Sequence, residues 1–181
     1  QLETEASGPY AAQAAITGLV SPRIAVQFDM TLPDIEPLVP QVSGPLAAKG
    51  TLRQTQDGFL LETQATGPYD VEAAVTGAVA PSIDVRFDMS MPDVQPVVPQ
   101  VSGPLAAKGT LRQTQEGFLL ETQATGPYDV KAAVTGAVAP RIDVRFEMSM
   151  PDVQPVVPQV NGPLAAQGTV RQTDAGFEVD T

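Results

Sequence analysis

A 59-residue period constrains this chain more than any other feature. The tripeptide Gly-Pro-Tyr begins at Gly8, Gly67 and Gly126, and the segment GPLAA begins at Gly44, Gly103 and Gly162, each series advancing by 59. Residues 51–71 and 110–130 differ only by Asp57 against Glu116. A unit this short is too small for an immunoglobulin-type sandwich of about 100 residues. It is better read as one slice of a stacked array, in which each copy buries its apolar side with its neighbours. The copies span 8–66, 67–125 and a shortened 126–181. Residues 1–7 match the end of a preceding copy, because LETEASG at 2–8 repeats LETQATG at 61–67. The expectation is a single continuous array, 1–181, taken from a longer chain. Without capping units its end strands keep open edges, so the isolated piece is expected to self-associate.

The residues within a copy predict strands. With 18 Pro and 15 Gly, long helices have no room. In the second copy four strands are expected at 68–79, 82–91, 104–115 and 117–125, joined by short Gly or Pro turns as in an antiparallel meander. The exception is 92–101, PDVQPVVPQV, whose three prolines lack the N–H that a ladder needs. It is expected to be a linker with at most one helical turn at 92–95, ended by Pro96.

Alternation is cleanest in the second strand of each copy. One side carries Ile24, Val26, Phe28, Met30 and Leu32, then Ile83, Val85, Phe87, Met89 and Met91, then Ile142, Val144, Phe146, Met148 and Met150. The other side carries Asp84, Arg86 and Asp88, with Asp143, Arg145 and Glu147 one copy later. A period of two with this contrast is a strand with one face in an apolar environment. Tyr69, Val71 and Val75 fall on the same apolar side, as do Leu105, Leu111, Phe118 and Leu120. Roughly thirteen strands would then present one continuous apolar face that must be kept from water.

A two-sheet sandwich, a closed membrane barrel and a sheet curled into a trough would each hide it. Membrane barrels carry aromatic girdles at both strand ends; three Tyr, six Phe and no Trp do not supply them. Gly77 and Gly109 recur on the apolar side in every copy, where glycine permits a bend or bulge. Bends repeated every 59 residues would curl the sheet one way. The expected fold is therefore all-β, one curled and mostly antiparallel sheet of about four strands per repeat, with an apolar interior.

Chemistry is narrowly bounded. The chain has no Cys, His or Trp, which removes Ser-His-Asp triads, Cys-His pairs and His- or Cys-ligated zinc. A formal net charge of −11 disfavours nucleic acid and anionic membrane surfaces, since both are bound through Lys and Arg. Paired carboxylates such as Asp84 with Asp88, or Asp143 with Glu147, suit a glycosidase pair or a calcium site in principle. With Arg86 and Arg145 between them, a solvated strand face of mixed charge is the simpler account. The PDVQP loops offer a weaker calcium candidate. No enzyme activity, metal or cofactor is expected.

The linkers LPDIEPLVP (32–40) and MPDVQPVVP (91–99), the strand SGPLAAKGTLR (43–53) and the hairpin GFLLETQATGPY (58–69) resemble the repeat region of the TamB-like, AsmA-like family of bacterial envelope proteins. That resemblance covers the whole chain. It implies a β-groove with an apolar interior, anchored elsewhere in the inner membrane, crossing the periplasm of a Gram-negative bacterium and meeting an outer-membrane barrel partner through regions outside this segment. It also implies phospholipid transport and support of outer-membrane biogenesis, with the acyl chains and the rest of the same long chain as partners. The competing expectation is a structural or adhesive surface repeat with a closed core and no lipid transport.

Overall fold

The computed structural model describes residues 2–8, 11–36, 42–173 and 176–181. Among the described residues thirteen strands run in chain order, every one antiparallel to its neighbours, in one unclosed sheet. They are β1 Leu2–Ser7, β2 Gln13–Leu19, β3 Ala25–Leu32, β4 Leu46–Gln54, β5 Phe59–Gly67, β6 Val71–Ala80, β7 Asp84–Met91, β8 Leu105–Gln113, β9 Phe118–Gly126, β10 Val130–Ala139, β11 Asp143–Met150, β12 Leu164–Thr173 and β13 Gly176–Asp180. Among the described residues the sheet is linear and unclosed, in the order β1 to β13. The chain divides into two compact units, Gln1–Met89 and Ser90–Thr181.

In the first unit the alternation fixes the register, because a one-residue slip would turn every apolar side chain to the wrong face. Val26 stands opposite Gly18 on β2 and Leu52 on β4, and Leu52 stands opposite Leu61 on β5. In the second unit Leu111 faces Leu120, and Val144 faces both Gly136 and Val170.

Two expectations are corrected by the connections. Residues 68–70 are not strand: Gly67 pairs with Val71, so Pro68–Asp70 form a tight turn with Tyr69 at φ 61° and Asp70 at φ 57°. Tyr69 is therefore on a turn and 36% exposed, not on the face of β6. The same turn recurs at Pro127–Asp129. Next, β6 and β10 each contain a bulge, where Phe59 pairs with Ala80 but Leu60 with Ala78, and Phe118 pairs with Ala139 but Leu119 with Ala137. The extra residues are Val79 and Val138, and each bulge sharpens the local twist. The cis bonds at Ser21–Pro22, Ala80–Pro81 and Ala139–Pro140 lie in the turns that follow β2, β6 and β10.

The proline-rich linker is the second correction. A helical turn is present, but it runs through Pro96: the N–H groups of Val97 and Val98 both donate to the Val94 carbonyl, at 2.9 and 2.8 Å. Proline fits there because the first turn of a helix has no use for its missing N–H. The copy at Val153 shows the same bonds, from Val156 and Val157 at 3.0 and 2.8 Å. The first-copy equivalent, residues 37–41, lies outside the described residues.

Candidate functional site

Carried across the strands, the register arranges the apolar face in rows running perpendicular to them. In the first unit one row is Gly18, Val26, Leu52, Leu61 and Gly77. The next is Ile16, Phe28, Gly50, Thr63 and Val75, followed by Ala14, Met30, Ala48, Ala65 and Ala73. Leu32 opposite Leu46, and Gly67 opposite Val71, continue the face toward the loops. In the second unit Thr122, Val134 and Phe146 share a row, as do Ala124, Ala132 and Met148, and Met150 stands opposite Leu164. The sequence-predicted residues of β3, β6, β9 and β11 are thus brought onto one face within each unit.

Others sit at the margins. Ile24 precedes β3, where its carbonyl accepts the Gln54 N–H at 2.7 Å and its own N–H reaches Gln54 Oε1 at 3.2 Å. Ile142 repeats this with Gln172 at 2.7 and 3.3 Å. Ile83 immediately precedes β7, Leu105 opens β8 and Phe118 opens β9.

In places a glycine stands directly opposite a large apolar residue in the same row. Gly50 is directly opposite Phe28, and a Cβ added at Gly50 would stand 2.7 Å from the Phe28 ring. The ring therefore lies over the glycine and supplies the cover that its missing side chain cannot. Gly168 and Phe146 make the same pair, at 2.8 Å. In the same rows the hydroxyls of Thr63 and Thr122 are shielded from water with no hydrogen-bond partner. An unpaired hydroxyl away from water is costly.

The decisive property of this face is how little of it is covered. With 43% of residues hydrophobic, a closed core of ordinary density would bury many side chains completely. Among the described residues none is fully buried, and the buried hydrophobics are Leu32, Val85 and Val94. Val94 belongs to the loop between β7 and β8. Along the face Ile16 is 38% exposed, Met30 43%, Met89 38% and Met148 38%. Phe28, Phe87 and Phe146 are half-buried.

The opposite face is polar and open. Arg53 pairs with Glu62 at 2.8 Å and Arg171 with Asp143 at 3.4 Å, all about half exposed. Asp143 is thus held by a cation, which suits a mixed-charge surface rather than a catalytic carboxylate pair. Each unit has a shallow hollow on this side: about 580 Å³ around Gln27, Asp29, Lys49, Thr51 and Gln64, and about 670 Å³ around Gln123, Lys131, Glu147 and Gln167. A twisted sheet is saddle-shaped and concave along one diagonal of either face, which accounts for hollows on the polar side.

Sequence reasoning missed the role of the linker aspartates. Asp93 Oδ1 accepts the N–H groups of Gly103 at 2.9 Å and Gln95 at 3.0 Å, and Val94 N–H donates to the Gly103 carbonyl at 3.0 Å. Asp34 does the same with Gly44 and Glu36, and Asp152 with Gln154 and Gly162. The carboxylate clamps both ends of each proline-rich loop. A Pro-Asp pair with a glycine ten residues after the aspartate was the available signal. No group of three potential metal-binding side chains occurs among the described residues, and Oδ1 of each of these carboxylates accepts two backbone amides.

The bonds to Gly103 and Gln95 lower the Asp93 pKa below its ordinary value, and Asp34 and Asp152 are lowered in the same way. A carboxyl group lowered by folding adds stability above its unfolded pKa and loses it as pH falls through the lowered value. The loops should therefore stay closed at neutral pH and open only below pH about 3.9, the ordinary Asp value. An NMR titration should show the Gly103 and Gly162 amides moving together in that acid range, and Asp93→Asn should raise hydrogen exchange at Gly103 at neutral pH. An unchanged Gly103 amide in that variant would remove the clamp from the account.

No family model matches the sequence, and comparison with curated proteins and with solved structures likewise gives no match.

Proposed function

We propose that the apolar face of this sheet holds phospholipid acyl chains and forms part of a groove carrying them across the periplasm between the inner and outer membranes. One observation supports this reading above the others: a chain with 43% hydrophobic residues leaves Ile16, Met30, Met89 and Met148 exposed on the apolar face, with no fully buried side chain among the described residues. A closed adhesive or structural repeat would fill its own core. A lipid groove keeps its face for the cargo.

The four-strand repeat, curled about an apolar interior, is the architecture that such a groove requires. Moving a 16-carbon chain into water costs roughly 13 kcal/mol at about 0.8 kcal/mol per CH₂, and a continuous apolar lining removes most of that barrier. Repeated rows of Leu, Val, Phe, Met and Ala keep successive positions close in energy, so a chain can slide. Methionine suits the lining because its unbranched, polarizable side chain adapts to irregular apolar shapes. The reading also makes the protein a conduit and not an enzyme, one acting together with an outer-membrane barrel partner in outer-membrane biogenesis.

The test is native mass spectrometry of the protein purified from a Gram-negative host without detergent. Co-purified phospholipid is expected. Protein free of lipid, and unable to take up phospholipid from vesicles, would leave the structural or adhesive repeat as the better account.

A further inference from the structure

The third proline-rich loop differs from the first two at a position that changes its chemistry. Before the glycine that closes each loop stand Ser43, Ser102 and, in the third, Asn161, the one asparagine of the chain. All three positions are exposed, so exposure belongs to the loop and not to one copy of it. Asparagine is a thermolabile residue, and a following glycine makes it more so. The glycine nitrogen attacks the asparagine Cγ, and no Cβ on the glycine screens the approach. Gly162, at φ 120°, is that glycine, and water reaches the Asn161 side chain.

The attacking nitrogen is already engaged. Gly162 N–H donates to Asp152 Oδ1 at 3.1 Å, and the Gly162 carbonyl accepts the Val153 N–H at 3.0 Å. Attack requires this N–H to give up its proton and its nitrogen to turn toward Cγ, and a bond to a carboxylate opposes both. Asp152 is a poor base for that proton. Its bonds from Gln154 and Gly162 hold its carboxyl below the usual aspartate range, whereas an effective general base titrates near the working pH. The same clamp closes the loops at Gly44 and Gly103, where serine has no amide to cyclise. Protection is therefore a consequence peculiar to the third loop.

We propose that Asn161 and Gly162 form a latent deamidation site, held closed by Asp152, whose conversion to isoaspartate opens the third loop. In the first step the Gly162 nitrogen bonds to Asn161 Cγ, and the side-chain nitrogen leaves as ammonia, taking the Gly162 proton with it. Water then opens the cyclic imide at one of its two carbonyls. Opening at Cγ gives aspartate. Opening at the former main-chain carbonyl gives isoaspartate, in which the chain runs through Cβ and is longer by one C–C bond of about 1.5 Å. The joint that receives this extra length is set by bonds of 3.1 and 3.0 Å, so at least one of them passes beyond hydrogen-bond reach.

With a single asparagine in the chain, the chemistry has one place to occur. The protein is aged at neutral pH, and peptide mass spectrometry follows the amide-to-acid conversion at position 161. Asp152→Ala should speed conversion roughly tenfold to a hundredfold, the range set by one hydrogen bond to a charged group. The wild-type chain unfolded in urea should also convert faster than the native protein. Asp93→Ala releases the second loop instead and should leave the rate at Asn161 unchanged. Hydrogen exchange at Gly162 should rise in the isoaspartate form and stay slow in Asn161→Ser protein aged alongside. Equal rates in native protein and in Asp152→Ala, or a slower rate in the variant, would overturn the proposal. Equal acceleration by Asp93→Ala would trace the effect to general loosening and overturn it too, as would a Gly162 amide that stays slow in the isoaspartate form.

Discussion

Met148→Glu and Met30→Glu are expected to abolish lipid capture while leaving the sheet folded. Both methionines lie on the apolar face at 38% and 43% exposure, so in the empty protein a carboxylate at either position stays hydrated. Against an acyl chain it must lose that water without a cation to pair with. The penalty is about 3 kcal/mol, or roughly a hundredfold in affinity. Glu147→Gln is the control: it sits on the polar face opposite Gln167 and should leave lipid binding unchanged. A photo-crosslinker at position 148 should label phospholipid, and one at position 147 should not. Equal labelling from both positions would refute the assignment of the apolar face to lipid. Val85 is a poor site for this test, because at 9% exposure an arginine there would disturb the fold itself. Phe87, half-buried, is intermediate.

Gly77→Ala should cost the fold roughly 3 kcal/mol or more. The residue sits at φ 145°, which side chains rarely tolerate, and an added Cβ would stand 2.1 Å from the Asp84 carbonyl oxygen and 2.7 Å from the Val85 Cα. Both obstacles are backbone, so relief requires β6 and β7 to separate. Gly136 meets Asp143 and Val144 in the same way, at 2.2 and 2.7 Å. Gly67→Ala provides the contrast, with φ −127° and nothing nearer than 3.8 Å. It should be neutral or stabilising by up to about 1 kcal/mol, through the unfolded chain. Urea unfolding of the two variants reads the difference. A Gly77→Ala protein as stable as Gly67→Ala would mean that β6 and β7 approach less closely than described.

The glycines also show where sequence reasoning succeeds for a partly different reason. Gly77 was singled out because it recurs on the apolar side, where it would permit a bend. The structure adds that its place is set by the backbone of the next strand, at a distance no side chain fits. The bulge nearby falls two residues on, at Val79, where the pairing with β5 slips by one residue. Nothing in the identity of Val79 announces that slip, because it is a property of two strands and the turn joining them.

By itself the sequence determined the strands and their faces. Apolar and polar residues alternate with period two from residue 24 to 32, 83 to 91 and 142 to 150, and side chains of an extended chain must point alternately to opposite sides. It determined as well that the proline-rich segments could not be ladder strands, since proline lacks the donor. The tertiary structure alone decided the rest. Tyr69 leaves the strand because Gly67 pairs with Val71, and closing that hairpin forces it to φ 61°. The linker aspartates bond the loop backbone because folding brings Gly44, Gly103 and Gly162 within reach of their carboxylates. Val85 and Met89 lie on one face of one strand, yet one is buried and the other 38% exposed. Alternation assigns a residue to a face; how deeply it is buried there depends on the neighbours that strand pairing brings across from distant parts of the chain.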